Sequence, residues 1–175
     1  MTQLTEPMRR YILHWGEMGQ RWGVNRSVAQ VHALLYLADE PLVADEIVEA
    51  LGVARSNVST SLKELQTWEL VRLVHVPGDR RDHFEAKHDP WDVLMTIVEG
   101  RKRREIDPTI AMLRDVSAEA AKDDATPPAA KAKIASMLTF LEDLNGWYAQ
   151  MRDVPAPVLR KLMTLGVKIT QFIGR

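Results

Sequence analysis

The stretch ARSNVSTSLKELQTWEL, Ala54 to Leu70, decides the fold. Its apolar residues recur on a helical period, yet its other face is crowded with Ser, Asn and Thr. Those side chains compete for backbone hydrogen bonds and are mediocre helix formers. A helix that needed only to be soluble would carry Glu, Lys and Gln there. At about 100° per residue, Val58, Leu62 and Leu65 share one face. Ser56, Thr60, Lys63 and Thr67 collect opposite, with Ser59 alongside and Arg55 and Asn57 in the first turn. Glu64 stands to one side, so the stripe is short, polar and low in negative charge. Such a face can lie against another polar surface without long side chains in the way. The major groove of DNA is one, since it admits a helix and displays donors and acceptors on base edges.

The neighbouring residues support this reading. A short helix (Val43–Leu51), a turn at Gly52–Val53 and the opening stretch make a helix-turn-helix, whose second helix reads the groove. ELVRLVHV (Glu69–Val76) and DHFEAKH (Asp82–His88) then read as two strands, the only β signal in the chain. PGDRRD (Pro77–Asp82) joins them as a hairpin turn with Arg80 and Arg81 at its tip. Such a hairpin forms a wing. A wing arginine has the length and charge to enter a narrow A·T-rich minor groove, where the negative potential is enhanced. The small hydroxyl and amide groups of the helix are left to contact phosphates and base edges.

Elsewhere the pattern is helical. Met8, Tyr11, Trp15, Met18 and Trp22 form a stripe on an N-terminal helix, with Pro7 in its first turn. A second helix follows Asn25–Arg26 with Val28, Val31, Leu34, Leu35 and Leu37 apolar. Asp89 is placed to cap a further helix that starts at Pro90 and that Pro108 is expected to kink or interrupt. KDDATPPAA (Lys122–Ala130) is the one clear linker. Beyond it lie two long stripes. Met137, Leu141, Leu144, Tyr148 and Met151 form the first; Val158, Leu162, Leu165, Ile169 and Phe172 form the second. The expected fold is mainly α (α+β), a winged helix-turn-helix with a small hairpin wing and N- and C-terminal dimerisation helices. Residues 1–25 are assigned to the N-terminal packing helix, 26–89 to the DNA-binding domain, and 90–175 to a helical dimerisation and effector region.

The stripes must bury their apolar faces somewhere. Met137, Leu141, Leu144, Tyr148, Leu162, Leu165 and Ile169 are the candidate dimer interface, although a monomeric bundle would satisfy the same pattern. Dimerisation is favoured because a two-fold pair doubles the few base contacts one winged helix can make.

Composition bounds the alternatives. A chain of 175 residues, 46% apolar and 27% charged, can fill a core. Its formal net charge is −1, so nucleic acid would have to be met by a local patch. The absence of cysteine excludes disulfides, thiolate zinc sites and cysteine nucleophiles. The five histidines (His14, His32, His75, His83 and His88) include no HExxH or other metal-ligand spacing, so no metal and no cofactor is expected. No apolar run approaches the roughly 20 residues of a membrane span, and the N-terminus lacks a signal-peptide pattern, so a cytoplasmic protein is expected. Nucleophile elbow, phosphate-binding loop and paired-carboxylate constellations are missing too, which argues against an enzyme.

VADEIVEALGVARSNVSTSLKELQTWELVRLVHVPGDRRDHF resembles the winged helix-turn-helix of MarR-type bacterial and archaeal regulators. The N-terminal helix, the PGDRRD wing and the following DPW more specifically resemble the GbsR branch. The likeness covers about residues 8–115 and is architectural beyond the linker. It implies a homodimeric transcription factor, usually a repressor, sometimes released by a small molecule, that binds a pseudo-palindromic duplex. Carried over by position, Ser56, Asn57, Ser59, Thr60 and Lys63 match the recognition surface, and Arg55, in the first turn of the same helix, is a further candidate DNA contact. Arg80 and Arg81 match the wing-tip arginines, and Asp79 the acid that braces one of them. Ala54 departs from the pattern, because such helices often begin with Ser or Thr. Losing that cap typically costs about 1 kcal/mol.

Three other features carry weaker readings. Tyr11, Trp15, Trp22, Trp147 and Tyr148 could build an aromatic cage for a quaternary ammonium effector, although aromatics on an apolar stripe more often pack as core or interface. The run Arg101–Arg104 lies among Glu99, Glu105 and Asp107 and reads as a solvated helix face. From another functional class, a winged helix can serve as a protein-interaction adaptor. DNA binding that falls steeply with salt separates the two, since phosphate neutralisation releases counterions.

Overall fold

A computed structural model of the chain describes residues 4–165. Ile169 and Phe172, assigned above to a dimerisation stripe, lie outside the described residues. The chain divides into two compact units, Met1–Ile97 and Val98–Arg175.

The first unit is built on α1 (Glu6–Arg21), α2 (Arg26–Leu37), β1 (Leu42–Val43), α3 (Ala44–Leu51), α4 (Arg55–Thr67), β2 (Val71–Val74) and β3 (His83–Ala86). Helix α2 is central, with Val28, Ala29, Val31, His32, Ala33, Leu34 and Leu35 all buried. It packs against α1 on one side and α4 on the other. Val58, Leu62 and Leu65 of α4 enter the core as their spacing predicts, and Ser61 joins them. The N-terminal helix is rotated relative to its aromatic stripe. Its buried edge is Ile12, Gly16 and Gly19, while Tyr11, Trp15 and Met18 are half-buried and Trp22 is exposed. The glycines explain the rotation, because they let two backbones approach. A Cβ at Gly19 would stand 2.5 Å from the Ala29 Cβ.

The sheet has three strands where the sequence pattern showed two. Its order is β1-β3-β2, and all pairs are antiparallel. Leu42 pairs with Phe84 and Val43 with His83, so residues just before α3 tie the helix-turn-helix to the wing. A two-residue strand has no alternation to read, and only the tertiary partner makes it one. Across β2 and β3, Arg72 Nη2 stands 2.6 Å from Glu85 Oε2.

Helix α5 (Pro90–Arg101) begins where expected: Asp89 Oδ1 accepts from Trp91 N at 2.7 Å and Asp92 N at 3.1 Å. Pro108 does not interrupt the path that follows. Lys102–Ile106 widens into a π-turn, closed by Asp107 N–H donating to the Lys102 carbonyl, and α6 (Asp107–Lys122) continues. Proline lacks an N–H and its ring collides with the carbonyl four residues back in α geometry. The wider turn accommodates both. In the second unit α6 packs against α7 (Pro128–Arg152), and Arg114 Nη2 lies 2.7 Å from Glu142 Oε1. Helix α8 (Ala156–Leu165) follows Pro155. No described helix is long and apolar enough to cross a membrane.

Candidate nucleic-acid interface

Helix α4 is set by what surrounds it. Gly52 ends α3 in the left-handed conformation (φ 64°), a geometry glycine adopts without the Cβ penalty, and its N–H donates to the Val48 carbonyl at 2.9 Å. Two residues later Ala54 takes the N-cap position of α4 with no side-chain hydrogen bond. No acidic side chain stands in the first turn either. The positive end of this helix therefore has no acid of its own to offset it. Arg55 Nη1 pairs instead with Asp45 of α3, binding the first turns of the two helices together. Both partners are mostly exposed, so the pair orients more than it stabilises.

Arg55, Ser56, Asn57, Ser59, Thr60 and Lys63 are all exposed on one side of α4. Thr67, at the end of that stripe, donates its hydroxyl to the Lys63 carbonyl at 2.8 Å. Arg55, Ser59, Lys63 and Gln66 share an open groove of about 470 Å³ with Arg81 and Asp82 of the wing. Gln66 and Asp82 were not singled out from the sequence. Gln66 lies three residues beyond Lys63 at helical spacing, a signal that was available.

The wing turns through Val76, Pro77, Gly78 and Asp79. The Asp79 N–H donates to the Val76 carbonyl at 3.1 Å with Gly78 at φ 86°, the arrangement of a type II turn. Asp79 then holds Arg81. Its Oδ1 accepts from the Arg81 backbone N–H at 3.0 Å, its Oδ2 accepts from Nε at 2.9 Å, and Arg81 Nη2 bonds the same oxygen. These hydrogen bonds keep the Asp79 carboxyl well below the usual carboxylate range. Arg80 is exposed at the same tip. The wing thus presents two arginines, Arg81 fastened to Asp79 and Arg80 exposed beside it.

The remaining candidates fall elsewhere. Tyr11 and Trp15 stack on each other at 5.5 Å, Tyr11 stacks on Tyr36 at 6.5 Å, and Trp22 meets Trp15 edge-on at 6.1 Å. Trp15, Tyr11 and Tyr36 pack face to face as a layer with Trp22 edge-on to it, and Tyr36 is a member that the stripe did not reveal. In the second unit Trp147 is exposed, while the Tyr148 hydroxyl donates to Glu99 Oε2 at 2.8 Å. Burial and that bond push the Tyr148 hydroxyl up to about 12. The α7 stripe divides in two: Met137 and Leu144 are exposed beside Phe140 and Trp147, whereas Leu141 and Tyr148 are half-buried. Leu162 and Leu165 of α8 are exposed. In the basic run, Arg101 pairs with Glu105 at 3.1 Å and Lys102 with Asp107 at 2.8 Å. Among the described residues no group of three His, Cys, Asp or Glu could hold a metal ion.

Residues 17–82, from α1 to the wing, match the model of the MarR family. Two similar proteins come from Bacillus subtilis. The HTH-type transcriptional repressor GbsR is 26% identical over 101 residues, covering 58% of this chain and 56% of GbsR. YvaV, named as a candidate HTH-type transcriptional regulator, is 20% identical over 150 residues, covering 85% of both chains. Among solved structures, a transcriptional regulator superposes with a TM-score of 0.54 at 21% identity, covering 82% of this chain and 99% of that one. That superposition shows a shared fold.

Proposed function

We propose, from the match of residues 17–82 to the model of the MarR family, that this chain is a sequence-specific regulator of transcription that binds double-stranded DNA as a homodimer and represses by covering promoter sequence. The exposed polar stripe of α4, flanked by the two arginines of the wing tip, is the observation that carries the reading. Ser56, Asn57, Ser59, Thr60 and Lys63 would reach base edges and phosphates in the major groove. Arg80 and Arg81 would meet the flanking minor groove or its phosphates. The many exposed large apolar residues of the second unit support self-association, because apolar side chains left exposed in such numbers commonly mark an interaction site. Met137, Phe140, Leu144, Leu162 and Leu165 are the side chains free to make it. GbsR carries the name of a repressor, which supports that sign of regulation. We further propose a small molecule held among Tyr11, Trp15 and Trp22 as the releasing signal, and the cytoplasm as the place of action.

Selection from random double-stranded DNA tests the proposal. An enriched inverted repeat with half-sites about 34 Å apart is the expected result. No enrichment, together with binding that ignores salt, would reject DNA as the partner in favour of a protein-interaction adaptor.

A further inference from the structure

His83 opens β3 and is buried, with 6% of its surface exposed. It pairs with Val43 and Val74 in the sheet, and its neighbour Phe84 belongs to the hydrophobic core. A buried histidine at a strand start is usually explained by the core it fills. This one also reaches outward to the wing tip. Its Nδ1 lies 2.9 Å from the Arg81 carbonyl oxygen. A carbonyl can only accept, so Nδ1 carries the proton and donates. Its Nε2 faces Asp79 Oδ2 at 3.5 Å.

Arg81 is therefore held at both backbone groups and along one edge of its guanidinium. Its N–H and guanidinium are taken by Asp79, and its carbonyl by His83. Asp79 sits on the same wing tip as Arg81. His83 is anchored in the sheet. Of the two holders, it is the one that ties the fastened arginine to the folded core. We propose that His83 is a positioning residue for DNA binding, setting the direction of the Arg81 guanidinium by fixing the Arg81 backbone through its carbonyl. This rests on the DNA-binding reading above, and it adds a residue that reaches the nucleic acid only through its neighbours.

The test separates the brace from the binding. In free protein, the Arg81 Nε–H resonance reports the bond to Asp79 through slow solvent exchange. His83→Leu, which keeps an apolar filling, should speed that exchange at least tenfold. His83→Asn, which can place a donor near the Nδ1 position, should recover most of the protection and guards against a variant that fails to fold. On a selected duplex, His83→Leu and Arg81→Ala should each weaken binding by about tenfold. The double variant should be no weaker than Arg81→Ala, because the two act as one unit. Unchanged exchange in both His83 variants would overturn the positioning role, and so would additive losses in the double variant. If the wild-type protein enriches no duplex, faster exchange in His83→Leu with recovery in His83→Asn still establishes the brace, and the DNA reading alone falls.

Discussion

The two units solve the problem of apolar surface in opposite ways. In the first, Val31, Ile47 and Val58 are fully enclosed, and a continuous cluster runs from Ile12 to Ala86. In the second, among the described residues, Ile110 and Ala120 are the buried apolar side chains, while Phe140 is 60% exposed, Trp147 58% and Met163 70%. A segment with so little enclosed volume cannot offset its own chain entropy from within. Its apolar surface is unfinished until something covers it. The first unit resembles a finished module that presents a polar face; the second presents an exposed apolar face, the one proposed above for self-association.

Substitutions can sharpen or break that contrast. The largest effect belongs to the enclosed unit. Ile47→Ala should cost about 2–5 kcal/mol in denaturant melts, because Ile47 is 0% exposed and the hole cannot collapse easily. A loss below about 1 kcal/mol would mean that the first unit is looser than its burial implies.

Next comes acidity. Burial lowers His32 from 6.5 to about 4, and its Nε2 has no hydrogen-bond partner. The fold needs the neutral ring, whereas the unfolded chain takes up a proton near pH 6.5. Stability from this residue is therefore complete above about pH 6.5 and is lost as pH falls towards 4, by about 3 kcal/mol in all. His32→Phe should flatten that part of the stability–pH curve. An unchanged slope would assign the acid sensitivity elsewhere.

In the second unit the readout changes from melting to association. Phe140→Asp should raise the dimer dissociation constant at least tenfold in sedimentation, with little change in the first unit's melting. Leu141→Asp, one position on, should instead damage the unit itself, since Leu141 is half-buried. If both variants behave alike, the division of the α7 stripe is wrong. The smallest effect is a gain: Ala54→Ser restores a capping oxygen at an extended backbone (φ −63°, ψ 142°) and should add about 1 kcal/mol.

Much of the first unit was legible because its signals are local. Val58, Leu62 and Leu65 needed only a wheel, Asp89 only its place before Pro90, and the wing turn only its Pro-Gly pair. Ser61, buried beside them, was not read from the wheel because its hydroxyl did not mark it as a core residue. What else escaped was set by partners distant in sequence. Leu42–Val43 becomes a strand because β3 lies beside it. The buried edge of α1 runs through Gly16 and Gly19, which no hydrophobic count would choose. The α7 stripe split because its apolar arc is wide enough to serve two faces. For the candidate site, residue types and spacing named the exposed set on α4. The Asp45–Arg55 pair and the reach of His83 to the tip required coordinates.

The π-turn at Lys102–Ile106 has a consequence of another kind. Such a turn holds one residue more than an α-helix of the same length, and each residue advances the helix by about 100°. Removing one residue there lets the bonding fall back to the ordinary pattern, with Pro108 the obstacle to relieve. Stripes read straight through the turn from Glu99 to Ile110 are out of phase by that amount. The segment is thus a place where the chain's length is adjustable, and alignments of related chains should put their single-residue gaps there.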